Sequence, residues 1–455
     1  MTKRNKTLVL FDYDWDRIEF KKLSPEWPQS CAGFDLFSFP SKLRLAWFDI
    51  NRFSQLAALR AKLQGIKAVV SNHEQYGALC AALVAEKLGL PGTSVEAVLA
   101  CQHKLYAREV LERVAPEANI PFSRLNATYG SEIPAGIDYP IFVKPVKAAF
   151  SVLAKNIENH QALHEHTRFS RQELWIIRHL VEPFEKILME RIPHAGTAHS
   201  LILEENIPGQ QHCLDGYYID GNMRRMGVVD AHMYPGTDAF MRWDYPSQLA
   251  DEIQLKAEIV ADKFLQAIGF THGFFNMEFV IDQQNNQIKI IEFNPRMAAQ
   301  FSDLYERVNG VNLHEMAIAL AHGIDPATLP MKNPTATHAS SVVYRSFDPN
   351  ASIAMPSTSQ QKAFNNAFPD GLLIQFPKRS NQLQQDFKWL GSYRFGIVHL
   401  GGNSLNDLRQ RCEHASLLLG WSAQHVAETS DQDVLADFPN AWPNSMEIET
   451  ENATL

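Results

Sequence analysis

The stretch Gly273–Gly310 reads GFFNMEFVIDQQNNQIKIIEFNPRMAAQFSDLYERVNG. Two apolar runs within it, Met277–Asp282 and Gln287–Phe293, predict the strands of a β-hairpin. The segment Gln284-Asn285-Asn286 between them favours a tight loop, because asparagine tolerates the left-handed backbone that such a loop needs. The local pattern therefore predicts two antiparallel strands.

The predicted hairpin brings two acidic side chains together. With pairing symmetric about Asn285, Glu278 lies opposite Glu292, and the two-residue period of a strand puts Asn294 on the face of Glu292. Opposed like charges repel by roughly 4 kcal/mol at ~4 Å and an effective dielectric of ~20, so we expect a compensating charge. Two carboxylates and an amide oxygen suit a hard divalent ion such as Mg²⁺, which also takes substrate phosphates. The alternative is a solvated hairpin whose acids splay apart.

Cationic side chains accompany the predicted hairpin. Pro295 cannot continue a strand, so the chain should turn there and project Arg296 beside the carboxylates, where it can neutralise an anion or a developing oxyanion. Another predicted strand, Pro140–Lys144, ends in a lysine that could meet a phosphate, although a surface charge is the alternative. The run Leu201–Gln211 predicts a strand that breaks into two acids and a Pro-Gly turn.

Taken in order, these features resemble the ATP-grasp superfamily, particularly its carboxylate-amine ligases of the L-amino acid ligase and carnosine synthase type. The features that carry the resemblance are Lys104 after a helix, Lys144 at a strand end, the exit Glu204-Glu205, then Glu278 and Glu292-Phe293-Asn294-Pro295-Arg296. The resemblance covers about residues 95–325. The later run FGIVHLGG, residues 395–402, looks like the C-terminal lid of such ligases.

The resemblance implies a role for each matching position. The implied ATP-binding residues are Lys104 and Lys144 on the phosphates, Ser151 in the phosphate-covering loop, Glu204, Glu205 and Asn206 at an adenine-binding hinge, and Gln211 where many members carry a ribose-binding Glu. Glu278, Glu292 and Asn294 would hold Mg²⁺ or Mn²⁺, and Arg296 would stabilise the acyl-phosphate step. The implied reaction is phosphorylation of a carboxylate by ATP, followed by attack of an amine, with small molecules as both substrates.

Two departures from the family pattern keep other functions open. The loop that is usually glycine-rich reads Val146-Lys147-Ala148-Ala149-Phe150-Ser151, and Met297–Gln300 replaces glycines that many relatives carry. The alternatives are a nucleotide-binding protein without catalysis, acting as a regulator or scaffold, and a ligase of the biotin-carboxylase or purine-pathway type. The segment Asp230–Tyr245 is either part of the substrate pocket or an ordinary surface loop. Its candidate pocket residues are His232, Asp238 and Arg242.

Composition narrows the class of protein. The net charge of −9, without a cationic cluster, argues against nucleic-acid binding. The sequence contains no run of ~18 apolar residues, so no membrane span is predicted. The five cysteines are scattered and never spaced CxxC, which favours a reducing cytoplasm over disulfides or structural zinc. Dimers are common among proteins of the family, so the resemblance also allows a homodimer.

A length of 455 residues predicts about three domains at ~150 residues each. The expected fold class is mixed, α/β and α+β: an ATP-grasp fold with an N-terminal open α/β domain, the pre-ATP-grasp domain, and a C-terminal lid subdomain. We expect the N-terminal domain at residues 1–95, the ATP-grasp domain at 96–330, the lid at 331–427 and a disordered acidic tail at 428–455. Within the central domain, Arg171–Leu180 predicts a helix and Ile187–Arg191 a strand.

Overall fold

The computed structural model describes residues 5–421, except residues 24, 35–46, 126, 128, 130, 149–152, 283–286, 351, 379–382, 384–385 and 388–389. Three predictions fall outside these residues: the role of Ser151, the hairpin loop at Gln284–Asn286 and the acidic tail at 428–455. The predicted lid is described as far as Trp421.

A parallel sheet comes first in the chain. Its strands are β1 (Thr7–Leu10), β2 (Gln29–Ala32) and β3 (Ala68–Val70), in the order β2-β1-β3. The accompanying helices are α1 (Asp14–Leu23), α2 (Ile50–Leu63) and α3 (Gly77–Leu88). Parallel strands require crossover connections, and a strand covered by helices is buried on both faces, as β1 is along its whole length. The expected open α/β architecture is confirmed in this part of the chain.

Two capped helices lead into the central region. Ser94 Oγ accepts a hydrogen bond from the Ala97 N–H at 3.2 Å and starts α4 (Val95–Gln102). Directly after it, His103 Nδ1 accepts from the Tyr106 N–H at 3.0 Å and starts α5 (Lys104–Val114). Lys104 is therefore the first residue of a helix.

An antiparallel four-stranded sheet follows, in the order β4-β7-β5-β6. Its elements, in chain order, are β4 (Phe122–Leu125), β5 (Ile141–Pro145), β6 (Lys155–Ile157), α6 (His160–Thr167), α7 (Arg171–Arg191) and β7 (Leu201–Glu204). The predicted strand at Ile187–Arg191 is wrong, because these residues continue α7. Phe184, Ile187 and Leu188 are buried at three- and four-residue spacing, so one helical face packs into the core.

The predicted hairpin belongs to another antiparallel group of strands. The elements here are β8 (Gln211–Ile219), β9 (Asn222–Met233), β10 (Phe240–Tyr245), α8 (Asp251–Ala267), β11 (Gly273–Asp282) and β12 (Gln287–Asn294). Strand β11 lies between β12 and β8. Helix α8 packs on this group through Phe264, whose ring stacks on that of Phe293 with 3.9 Å between centroids.

The chain folds into two compact units. The first contains residues 1–229, 247–302 and 312–330, and the second contains residues 230–246, 303–311 and 331 onward. The remaining elements are α9 (Ser302–Asn309), α10 (Leu313–Ala321), β13 (His338–Ser346), α11 (Thr358–Ala367), β14 (Leu372–Gln375), β15 (Tyr393–Gly402) and α12 (Leu405–Leu419). The predicted domain boundaries stay predictions.

The second unit contains four neighbouring strands and a hydrophobic core of its own. Strands β10, β13, β15 and β14 are antiparallel neighbours in that order. Ser404 accepts from the Asp407 N–H at 3.1 Å and caps α12, which buries Leu408, Cys412 and Leu419. The run FGIVHLGG, residues 395–402, lies in β15, and α12 follows it. Of the helices in the described residues, none combines the length and apolar character that a membrane span requires.

Candidate active site

The register of β11 and β12 sets two carboxylates against each other. Glu278 is paired with Glu292, and Asn276 with Asn294, which confirms the predicted pairing of the acids. The register changes immediately afterwards, because Phe279 is paired with Ile290 and leaves Ile291 as an extra residue in β12. Such a β-bulge re-aims the neighbouring side chain. Without it, the pairing of Asp282 with Gln287 would continue to set Glu278 opposite Ile291.

The two carboxylates have different partners. Gln211 Nε2 donates to Glu278 Oε2 at 2.6 Å, and Asn294 Nδ2 lies 3.4 Å from Glu278 Oε1. Lys104 Nζ lies 2.9 Å from Glu292 Oε2. Burial, together with the charge of Glu292, raises the pKa of Glu278. Burial also acts to raise the pKa of Glu292, but the ammonium groups of Lys104 and Lys144 outweigh it and hold that pKa below its usual range.

Lys144 occupies the predicted strand end, with Glu204 as its partner. Its Nζ lies 2.8 Å from Glu204 Oε2 and donates to the Ile291 carbonyl at 3.3 Å. Burial lowers the pKa of Lys144 more than Glu204 raises it. Glu204 therefore presents a buried, ion-paired side chain at the end of β7, whereas Glu205 and Asn206 are exposed beyond it. The Glu205 N–H donates to the Pro121 carbonyl at 3.0 Å.

Sequence reasoning missed Arg108, which joins these elements. Its Nε lies 2.7 Å from Glu204 Oε1, its Nη2 donates to the Ile291 carbonyl at 2.9 Å, and its Nη1 donates to the Ile290 carbonyl. The side chain thus binds the carbonyls at the β-bulge and holds β7 against β12. The available signal was its spacing of four residues from Lys104, which puts both cations on one face of α5.

Arg296 follows the end of β12 as predicted, but its partner was not predicted. Its Nη2 lies 2.6 Å from Glu74 Oε2, and Glu74 follows β3. Burial acts to lower the pKa of Arg296, and the Glu74 carboxylate outweighs it and raises that pKa. The signal for Glu74 was its place after a buried parallel strand, since ligand-contacting groups collect at such strand ends.

The backbone carbonyl of Glu74 also accepts hydrogen bonds in this region. Its carbonyl accepts a hydrogen bond from Gln102 Nε2 at 2.6 Å, and Lys147 Nζ lies 3.5 Å from the same oxygen. Lys147 is buried, with 2% of its surface exposed. The loop after β5 therefore brings a lysine into this region, another residue that the sequence analysis did not single out.

The predicted substrate-pocket residues lie in the second unit. His232 Nε2 and Arg242 Nε lie 3.0 and 2.8 Å from Asp244 Oδ2, and Ser340 Oγ donates to the same carboxylate. Burial acts to raise the pKa of Asp244, but Arg242 and His232 outweigh it and hold that pKa well below its usual range. Asp238 is exposed between β9 and β10. The structure thus gathers His232 and Arg242 around an aspartate that was not predicted.

The first unit offers an incomplete set of metal donors. Among the described residues, no three His, Cys, Asp or Glu side chains converge as a metal site. The candidate donors are the carboxylates of Glu278 and Glu292 and the amide of Asn294, which lies on the same strand as Glu292. A set of two carboxylates and one amide fits Mg²⁺, which keeps several positions for water and substrate phosphates.

Comparison with known proteins identifies the central part of the chain. Residues 137–303 match a sequence family described as an ATP-grasp domain. This stretch of the chain is similar to ATP-grasp domains. The matched range contains β5, the hairpin of β11 and β12, and Arg296. No curated protein sequence matches the chain.

Solved structures share the fold of the ATP-grasp domain and its flanking regions. An L-amino acid ligase from Bacillus licheniformis has a TM-score of 0.67 at 13% identity, over 92% of this chain and 98% of the ligase. A biotin carboxylase from Campylobacter jejuni has a TM-score of 0.59 at 15% identity, over 94% and 96% of the two chains. An N5-carboxyaminoimidazole synthetase from Staphylococcus aureus has a TM-score of 0.59 at 16% identity, over 92% and 98%. The predicted ATP-grasp fold is therefore confirmed.

Proposed function

We propose that the protein is an ATP-dependent carboxylate-amine ligase. The observation that carries the proposal is the set of charged groups in the first unit: Glu278 opposite Glu292, Lys104 on Glu292, Lys144 on Glu204, and Arg296 just beyond the hairpin. Phosphoryl transfer is catalysed mainly by positioning the reactants and neutralising phosphate charge. Two largely buried lysines, an arginine and a pair of carboxylates supply these functions.

In this proposal, Lys104 and Lys144 contact the ATP phosphates. Both ammonium groups are held by carboxylates, at 2.9 Å and 2.8 Å, so they are positioned before a nucleotide arrives. Glu204, Glu205 and Asn206 would bind adenine through backbone groups, and Ser151 would contact phosphate. Gln211 takes the place of the ribose-binding Glu of relatives, but its amide donates to Glu278, so in this proposal it supports that carboxylate and does not bind ribose.

Glu278, Glu292 and Asn294 would hold Mg²⁺ or Mn²⁺. When bound, the ion neutralises phosphate charge and the repulsion between the two carboxylates. The residues fit this group because both acids are partly buried and opposed, and because Lys104 pairs with only one of them.

The proposed chemistry has two steps. A substrate carboxylate oxygen attacks the γ-phosphorus of ATP, the bond from that phosphorus to the bridging oxygen breaks, and ADP leaves. The nitrogen of an amine then attacks the acyl carbon, the carbon–oxygen bond to phosphate breaks, and the amine loses a proton as phosphate departs. Arg296 would stabilise the oxyanion of the acyl-phosphate step, with Glu74 fixing its direction.

The substrates are assigned by class only. We propose small molecules, with an amino acid or related acid as the carboxylate, and His232, Asp238 and Arg242 as candidate substrate contacts. In the second unit His232 and Arg242 share Asp244, so they present fixed polar groups. A cytoplasmic location and a homodimer stay predictions.

The test is release of ADP and phosphate from Mg-ATP with panels of amino acids. We expect ADP release that depends on substrate, and its loss in E292A with retention of the fold. The Lys155→Met variant is a matched control, because Lys155 is exposed on β6. ADP release stimulated by bicarbonate alone would favour the biotin-carboxylase or purine-pathway alternative. ATP binding without turnover across the panel would favour the non-catalytic alternative, and either result would contradict the proposal.

A further inference from the structure

The loop after β5 lacks the glycines whose backbone amides usually approach phosphate. Its sequence is Val146-Lys147-Ala148-Ala149-Phe150-Ser151, of which the structure describes the first three residues. A side chain on Cβ restricts how closely the backbone can approach a ligand. The one charged residue of this loop is Lys147, and its side chain is buried rather than directed to solvent.

The ammonium group of Lys147 is not paired with a carboxylate as those of Lys104 and Lys144 are. Its Nζ lies 3.5 Å from the Glu74 carbonyl oxygen and 4.9 Å from the centroid of the Phe184 ring. Among the described residues, no carboxylate oxygen forms an ion pair with it, whereas Lys104 pairs with Glu292 and Lys144 with Glu204. A buried cation without a paired anion is costly, so this position favours either a neutral amine or an anionic ligand.

The charged groups around Lys147 come from several elements. Burial lowers its pKa to about 7, with Glu74 and Glu292 opposing the shift and Lys104 and Arg296 reinforcing it. The ammonium group is therefore part of the same electrostatic cluster as the proposed phosphate and acyl-phosphate contacts. A phosphoryl group bound beside this ammonium group would, through its negative charge, favour the protonated form of Lys147.

We propose that Lys147 binds the transferable γ-phosphoryl group of ATP, in place of the loop amides that a glycine-rich sequence would supply. The inference rests on the proposed function, because it assumes that ATP is the nucleotide bound here. It assigns a phosphate contact to a lysine on the loop itself, in addition to those at Lys104 and Lys144. The contact would distinguish ATP from ADP, since ADP lacks the γ-phosphoryl group.

The test is calorimetric binding of Mg²⁺ complexes of AMP-PNP and of ADP to the full chain. We expect K147M to weaken AMP-PNP binding by ~10-fold to 100-fold, because a charge-assisted hydrogen bond to phosphate is lost. The same variant should weaken ADP binding by less than about 2-fold. K147R, which keeps the charge, should bind AMP-PNP within about 5-fold of the wild type. The control variant K155M should match the wild type with both nucleotides.

Proton uptake supplies a second measurement that a purely structural lysine would not change. At pH 8 the wild type should take up more protons on binding AMP-PNP than K147R does, measured in buffers of different ionisation enthalpy, because arginine is always charged. If K147M does not fold, this comparison of the wild type with K147R decides the question.

Three results would overturn the inference. Equal loss of AMP-PNP and ADP binding in K147M would assign Lys147 a structural role, and unchanged binding of both would remove it from the site. Equal proton uptake by the wild type and K147R would exclude the predicted protonation. Failure of the wild type to bind either nucleotide would instead contradict the proposed function, and this inference with it.

Discussion

Glu74 and Arg296 are 222 residues apart in the chain, yet Glu74 Oε2 lies 2.6 Å from Arg296 Nη2. Both side chains are largely buried, at 7% and 14% exposure. The pair joins the segment after β3 to the residue that follows the end of β12. The guanidinium group therefore has a fixed charge and a fixed direction, and Glu74 is a positioning residue for Arg296.

We expect the Glu74→Gln variant to lose stability and activity together. The amide cannot neutralise the buried guanidinium group, so the free energy of unfolding should fall by about 2 kcal/mol. Substrate-dependent ADP release should fall at least ~10-fold, because Arg296 loses the group that orients it. Urea unfolding and steady-state kinetics measure the two effects.

Glu86→Gln is the matched control for this variant. Glu86 also pairs with an arginine, Arg191, but the two side chains are 44% and 33% exposed. Its loss should cost less than ~1 kcal/mol and leave ADP release unchanged. An E74Q variant with the wild-type rate and substrate dependence would contradict the positioning role.

Local sequence pattern was enough to predict part of the site. The alternation of side chains along β11 and β12 predicted that Glu278 lies opposite Glu292, and Pro295 predicted the end of β12. Both predictions depend only on residues that are close in sequence. The bulge at Ile291 was not predictable in this way. It occurs where Arg108 binds the Ile290 and Ile291 carbonyls from another element.

The misses share a physical cause, since each depends on tertiary contacts. Ile187–Arg191 is apolar enough for a strand, but it packs as the end of α7. Glu74 is a single acid whose partner Arg296 comes from elsewhere in the fold. Asp244 has a local partner in Arg242, but its second partner, His232, comes from the neighbouring strand. A short apolar run or a lone acid does not specify its partner, whereas a turn, a cap or a strand end does.

We expect Glu204→Gln to remove a pH-dependent contribution to stability. Burial acts to raise the pKa of Glu204, but Arg108 and Lys144 outweigh it and lower that pKa. A lowered carboxyl pKa in the folded state stabilises the protein above the unfolded value of ~4.3, and this contribution is lost as the pH falls toward the folded value. At pH 7 the variant should be less stable by about 3 kcal/mol, because two buried cations lose their carboxylate.

Urea unfolding of both proteins between pH 7 and pH 3 measures this effect. The difference between the wild type and E204Q should shrink below about pH 4.3. Glu205→Gln, at the exposed neighbouring residue, should unfold like the wild type throughout. A difference that stays constant with pH would show that the ion pairs are not its source.

The opposed carboxylates predict that replacing Glu278 stabilises the protein when divalent metal is absent but weakens its stabilisation by metal and nucleotide. In the absence of divalent metal, Glu278→Gln should raise the free energy of unfolding by roughly 1 kcal/mol, because the neutral amide removes the electrostatic cost that burial and the Glu292 charge impose on this carboxyl group and that raises its pKa. With excess Mg²⁺ and AMP-PNP, the wild type should gain stability by ligand binding and the variant should gain less. Thermal unfolding with EDTA and with Mg²⁺ measures both.

Glu252→Gln serves as the control, since Glu252 is exposed on α8. It should show neither the stabilisation in EDTA nor a reduced response to Mg²⁺ with nucleotide. If E278Q is destabilised in EDTA and responds fully to Mg²⁺, the metal assignment of Glu278 is wrong.

Asp244→Asn tests the buried cluster of the second unit. Arg242 and His232 both lie within 3.0 Å of the Asp244 carboxylate, so the amide would remove the negative charge that these two side chains share. We expect the stability of this unit to fall by about 3 kcal/mol, whereas Asp238→Asn, at the exposed turn, should cost less than ~1 kcal/mol.

Hydrogen exchange followed by mass spectrometry locates the effect. Peptides from β10 and β13 should lose protection and those from β11 and β12 should not; equal loss in both sets would mean that the cluster does not act within its own unit.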